Sequence, residues 1–131
     1  MKYVKSTELA IDSLFYMAAH PELTDFSVEQ TAQAQGVSPS YLAKVFQQLV
    51  RAGILNSKRG PRGGFTLGRE LDKITLLDIF EAIDGPAPSE YHIAKQTKNE
   101  HFAVKMEKVC EKATAEQNRI LQAATLADMI K

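Results

Sequence analysis

A single cysteine, Cys110, stands among the 131 residues. One thiol cannot build an internal disulfide framework, and it is too few for a structural zinc site made of paired cysteines. Such usage fits a reducing compartment. Long apolar runs are lacking too. The first stretch carries Lys2 and Lys5, but Glu8, Asp12 and His20 interrupt it, so it reads neither as a secretory leader nor as a membrane span. A cytoplasmic protein with no membrane attachment is expected.

Net charge is also missing, since 16 Lys and Arg balance 16 Asp and Glu, and a balanced chain is not an obvious partner for nucleic acid. The distribution reverses that impression. From Gln30 to Arg69 there is no acidic residue, while Lys44, Arg51, Lys58, Arg59, Arg62 and Arg69 supply six positive charges. The other ten cations share the remaining sequence with all 16 acids. Such a split describes one face built to meet a polyanion and a remainder built not to. With 44% hydrophobic residues, the chain suffices for one compact core with appendages and not for a second full domain.

Capping chemistry and apolar spacing place the helices. Ser6 or Thr7 can cap a first helix whose Leu9, Ala10, Leu14, Phe15 and Ala18 recur at helical spacing until Pro21. Ser27 with Gln30 predicts the start of a short second helix, and Gly36 its left-handed end. Ser38 caps again, with Pro39 at the first helical position where a missing N–H costs nothing. This third helix buries Leu42, Val45, Phe46, Leu49 and Val50 and stops at Gly53. The link Gln35-Gly36-Val37-Ser38 has the length and the glycine of a helix-turn-helix. Its second helix presents Ser40, Tyr41, Lys44, Gln47, Gln48 and Arg51 on the polar side, hydroxyls, amides and cations of the kind that bond base edges and phosphates.

Next come Ile54 to Lys58 as a strand and Phe65-Thr66-Leu67 as its return, with Arg59-Gly60-Pro61-Arg62-Gly63-Gly64 between them. Glycines at the tip allow positive φ and close approach to a partner, and Pro61 limits its freedom. Arginine on a narrow projecting loop suits the minor groove, where negative potential concentrates. A phosphate-binding loop of an enzyme would share the glycines, but no terminal Gly-Lys-Ser/Thr leads into a helix. Beyond the hairpin, Thr75 and Asp78 cap a fourth helix that closes at Gly85-Pro86. From His101 to Met129 neither proline nor glycine occurs, and Phe102, Met106, Val109, Ala113, Ile120, Ala124 and Ala127 mark one long amphipathic helix. At 1.5 Å per residue it would reach about 40 Å, more than a small domain covers by itself, so a second chain is expected to supply the missing surface. The division is a winged helix-turn-helix domain over 1–85, a linker over 86–99 and a dimerisation helix over 100–131.

This arrangement resembles the Rrf-type winged helix-turn-helix transcription regulators. The resemblance rests on Ser38-Pro39-Ser40-Tyr41-Leu42, on Leu49-Val50-Arg51-Ala52-Gly53-Ile54-Leu55, on the hairpin Arg59 to Phe65 and on Ile74-Thr75-Leu76-Leu77-Asp78-Ile79. It covers Thr7 to Gly85 and implies a mainly α fold with a β-hairpin wing. It also implies a homodimer joined through the long C-terminal helix, each protomer placing one helix in a major groove and one wing in a minor groove. Cluster-binding relatives carry three cysteines between the fourth helix and the dimerisation helix, whereas the interval from Ala87 to Ala113 holds only Cys110. His92, His101 and Cys110 are the remaining candidate donors for a metal or cluster, against the plainer reading of surface histidines. The chain resembles the cluster-free branch, and no cofactor is expected.

The residues expected to carry function are Ser38, Ser40, Tyr41, Lys44, Gln47, Arg51, Lys58, Arg59, Gly60, Arg62 and Gly63 for DNA. Cys110 is either a small core hydrophobe or a redox sensor. The partner expected is double-stranded DNA bearing an inverted repeat, and any effector is unknown. The other reading is a winged-helix module for protein or RNA, because fold alone does not set function. No nucleophile and base pair, metal-spaced histidine pair or Walker-type loop supports an enzyme.

Overall fold

The computed structural model describes residues 4–23, 25–60, 63–88 and 98–131. Helix α1 spans Lys5–Ala19, α2 Val28–Gln35 and α3 Pro39–Arg51; strands β1 (Leu55–Lys58) and β2 (Gly64–Leu67) follow, then a short 3-10 turn over Leu71–Lys73. Helix α4 spans Leu76–Asp84, α5 Glu100–Ala123 and α6 Leu126–Met129. None of the described helices is long and apolar enough to cross a membrane.

Caps set most of these boundaries. The Ser27 hydroxyl accepts from the Gln30 N–H at 3.1 Å, and Gly36 ends α2 at φ 69°. Ser38 accepts from the Tyr41 N–H at 3.2 Å, with Pro39 opening α3. In α4, Thr75 and Asp78 exchange both bonds of a capping box. The first helix departs from expectation: its cap is Val4 without a side-chain bond, and neither Ser6 nor Thr7 caps it. Both hydroxyls are committed to long-range partners instead. Ser6 Oγ lies 2.8 Å from the Tyr41 hydroxyl, and buried Thr7 donates to Asp84 at 3.5 Å.

The core gathers Leu9, Leu14 and Met17 of α1, Leu42, Val45, Phe46 and Leu49 of α3, and Ile54, Leu55, Ile74 and Ile79. The expected stripe of α3 is buried at four of its five positions, with Val50 only partly covered. The two strands pair antiparallel, Leu55 with Leu67 and Lys58 with Gly64. Phe26 adds a bridge on the free side of β2, exchanging two backbone hydrogen bonds of 2.9 Å with Phe65. The Phe65 ring meets Phe46 edge-on at 4.9 Å, which seats the hairpin on α3.

Periodicity predicts one helix from His101 to Met129, but α5 ends at Ala123 and the chain turns at Ala124 (φ −101°, ψ 127°). The cause is long-range pairing. Ala124 accepts from the Leu76 N–H at 2.9 Å, and Leu126 donates to Ile74 O at 2.8 Å, so Thr75 and Thr125 form an antiparallel bridge. A second capping box, Thr125 with Asp128, then opens α6. The backbone and hydroxyl hydrogen bonds of Thr125 hold the Asp128 carboxyl below the usual carboxylate range. Leu126 is thereby drawn into the core at 3% exposure. Leu126→Ala should cost about 2–4 kcal/mol of unfolding free energy, as deletion of buried methyl groups does. Urea denaturation would show a lower midpoint at unchanged slope, and a midpoint equal to that of the parent would mean that α6 packs no core.

Candidate nucleic-acid interface

Along α3, Ser40, Lys44, Gln47 and Arg51 follow steps of four, three and four, so they share one face of the helix. All four are exposed, as is Tyr41. Tyr41, Lys44, Gln47 and Arg51 line one shallow concavity of about 500 Å³ together with Ser6. Ser6 is a contributor that the sequence reading assigned to capping; its link to the Tyr41 hydroxyl brings the start of α1 beside α3. No local signal marks that pairing, because the two residues stand 35 positions apart. Gln48 borders the same concavity but is half-buried, its amide donating to Ile83 O of α4 at 3.4 Å. Ser38 is exposed, but its hydroxyl is engaged by the Tyr41 N–H and lies 3.4 Å from the Ser40 hydroxyl.

Lys58 and Arg59 are exposed at the end of the hairpin. Gly60 has φ 109°, a conformation that L side chains rarely adopt, and its carbonyl accepts from the Gly63 N–H at 2.8 Å. Gly63 is needed for a different reason. A Cβ there would lie 2.5 Å from Lys58 O, and one at Gly64 would lie 2.9 Å from Phe26 O. These two glycines therefore accommodate the protein's own backbone before any partner arrives. Arg62 and Pro61 lie outside the described residues.

The sixth cation of the basic segment is spoken for. Arg69 donates to Ala52 O at 2.7 Å, Gly53 O at 3.3 Å, Lys73 O at 3.2 Å and the Asp78 carboxylate at 2.9 Å. Its guanidinium thus satisfies carbonyls just past the C-terminus of α3, where helices leave acceptors unpaired and carry partial negative charge. Lys44, Arg51, Lys58 and Arg59 are exposed.

Among the described residues, the candidate donors for iron do not converge. His101 and Cys110 both sit on α5, nine positions apart, which separates them by about 13.5 Å along the axis. His92 lies outside the described residues. Among the described residues there is no group of three His, Cys, Asp or Glu side chains placed to hold a metal ion. Cys110 is half-buried on α5.

Comparisons with known proteins agree with this architecture. Residues 3–131 match the Rrf2 family, described as an iron-dependent transcriptional regulator. YwgB of Bacillus subtilis (strain 168), classed by name among HTH-type transcriptional regulators, is 39% identical over 85 residues, covering 65% of this chain and 54% of YwgB. An HTH-type regulator named IscR from Xenorhabdus nematophila is 30% identical over 84 residues, covering 64% of this chain and 51% of that protein. The chain thus spans about half the length of these curated relatives. Among solved structures, T. potens IscR superposes with a TM-score of 0.71 at 28% identity, covering 99% of this chain and 86% of that one. CymR, the global cysteine regulator of B. subtilis, gives 0.72 at 24% identity, covering 99% and 96%, a likeness of fold.

Replacing Arg69 with alanine should lower stability by about 1–2 kcal/mol, the worth of charge-assisted hydrogen bonds reduced for partial exposure. Arg69→Ala and Asp78→Ala together should cost less than the sum of the two, since the residues share one bond. Strict additivity in a double-mutant cycle of urea midpoints would contradict the clamp.

Proposed function

The chain belongs to the Rrf2 family of transcriptional regulators, and on that premise we propose that it binds an inverted-repeat operator in double-stranded DNA as a cytoplasmic homodimer. The observation that carries the DNA reading is the exposed α3 face of Ser40, Tyr41, Lys44, Gln47 and Arg51, followed directly by a basic, glycine-bounded hairpin. Each protomer lays α3 in a major groove, where amides, hydroxyls and cations can pair with base edges. The wing, through Lys58, Arg59, Gly60, Arg62 and Gly63, enters the adjoining minor groove. Ser38 fixes the entry of α3 and offers its hydroxyl to a phosphate.

The dimer reading rests on α5. Phe102, Met106, Val109 and Ile120 recur at steps that keep them on one side of the helix, yet they remain 50%, 40%, 65% and 56% exposed. Only Ala103 of this helix is buried. An apolar stripe of that length, with little cover from its own chain, fits the same stripe of a second copy. Residues 1–85 then form the DNA-contacting part, 86–99 the link and 100–131 the joining element, whose last turn also packs against its own winged domain. The iron dependence attached to the family is not carried over, because the chain has a single thiol and no three donors converge among the described residues. Cys110, beside Val109 on α5, stands where a modified sulfur would disturb the packing of two helices.

Sedimentation should give a dimer at micromolar concentration, and Val109→Glu should shift it toward monomer; a monomeric parent that stays monomeric on DNA would refute the proposal. Binding should weaken steeply with salt. With about four cations of each protomer on phosphates, a dimer releases about eight counterions and log affinity falls with log salt at a slope near −7. Arg59→Ala should make that slope shallower by about 2, whereas Lys44→Ala or Tyr41→Ala should also change which sequences are selected. A parent slope shallower than about −2 would remove the phosphate-binding face.

Operator affinity should survive treatment with a chelator, and Cys110→Ser should bind as the parent does in reducing buffer. Loss of the operator on iron removal, with cluster absorbance in the anaerobic protein, would restore the iron-dependent reading.

A further inference from the structure

Between α1 and α2 lies a cleft of about 450 Å³, a volume typical of small-molecule sites. Its apolar walls come from Phe15, Tyr16, Leu23 and Phe26. Phe15 is 51% exposed, Tyr16 45% and Leu23 44%, so the cleft presents aromatic surface that its own chain leaves uncovered. The Tyr16 and Phe26 rings meet edge-on at 5.8 Å and give the wall a defined shape. Asp12, Asp25 and His20 also line the cleft, the His20 ring 4.3 Å from that of Tyr16; Asp25 has an interaction of its own within the protein, and the exposed Asp12 is the carboxylate available to a ligand. Aromatic faces and carboxylates attract the same partner, an organic cation with an apolar ring.

The floor of the cleft reaches the helix-turn-helix. Gln35 lines it and is the last residue of α2, immediately before the left-handed turn at Gly36. Its Nε2 donates to Ser13 Oγ of α1 at 3.0 Å and points at Leu9 O at 3.5 Å. Its Oε1 is enclosed and has no hydrogen-bond partner among the described residues. A buried acceptor without a donor is costly, so this amide is held less firmly than a fully paired one and can be turned by a donor brought into the cleft.

We propose that this cleft binds a small aromatic amine in its ammonium form, and that occupancy weakens DNA binding through Gln35. The amide rotates to present Oε1 to the ammonium, which withdraws Nε2 from Ser13. The tie between α1 and α2 then loosens at the residue adjoining the turn that orients α3. Binding by the cleft stands by itself; its coupling to DNA rests on the proposed regulator function.

Calorimetry of the full chain with phenethylamine, against phenylacetate as a ring of similar size and opposite charge, tests the site. Phenethylamine should bind with Kd of about 0.1–1 mM and phenylacetate at least about tenfold more weakly. Asp12→Asn should weaken the amine about three- to tenfold, and Leu23→Arg, at an exposed wall position, should abolish its binding. Equal binding of the two probes, no amine binding at millimolar concentration, or indifference to Asp12→Asn would overturn the site.

The coupling is read on a duplex selected from random sequence. Saturating phenethylamine should lower its affinity at least about fivefold. Ser13→Ala, which removes the acceptor of Gln35 Nε2, should bind the amine at least as tightly as the parent while DNA affinity loses its response. Unchanged DNA affinity with the cleft saturated would overturn the coupling alone. If no duplex is selected without amine, the regulator reading fails and the coupling with it, while the calorimetry still decides the site.

Discussion

Arg69 holds three elements in register through one guanidinium. Its bonds to Ala52 O and Gly53 O close the end of α3, its bond to Lys73 O secures the 3-10 turn, and its ion pair reaches Asp78. Asp78 is itself the capping-box partner of Thr75 at the start of α4. Helix α3, the return from the wing and the fourth helix therefore share one charged centre. Arginine suits this position because its planar fork carries five donors in fixed directions, against three on a lysine ammonium, and four acceptors converge here. A slack wing or a frayed α3 would spread the cations over many arrangements, and recognition depends on fixing a few.

From that centre the constraint continues to the C-terminus. Thr75 bridges to Thr125, Leu76 donates to Ala124 O, and Leu126 donates to Ile74 O and fills the core. The helix proposed to join two protomers is thus anchored at its end to the element that Arg69 secures. A displacement of α5 would be felt at α4 through paired backbone. The capping box of Thr125 and Asp128 repeats that of Thr75 and Asp78, so both sides of the bridge launch a helix with their orphan N–H groups satisfied.

The hairpin shows how one residue type answers separate demands. Gly60 is required by its positive φ, whereas Gly63 and Gly64 are required by the nearness of Lys58 O and Phe26 O. Positive φ, expected of the tip glycines, is found at Gly60, and at Gly63 and Gly64 it is the protein's own backbone that makes the close approach. The wing is accordingly seated on Phe26 and Phe46 as well as tethered by its strands.

The amino-acid order by itself determined what is local: the caps at Ser27, Ser38 and Thr75, the stops at Gly36 and Gly53, the buried stripe of α3 and the basic hairpin. Each of these rests on atoms within three or four residues, or on a period that one helix expresses alone. Tertiary structure decided the remainder. It took Arg69 out of the cationic face, turned Gln48 toward α4, gave Ser6 and Thr7 partners other than the α1 backbone, and ended α5 at Ala123. It also set His101 and Cys110 too far apart to share a metal on one chain. The physical reason is common to all of these. Their partners lie many residues away or depend on the pitch of a formed helix, and polar groups and apolar surface settle on whichever neighbours the fold brings within reach.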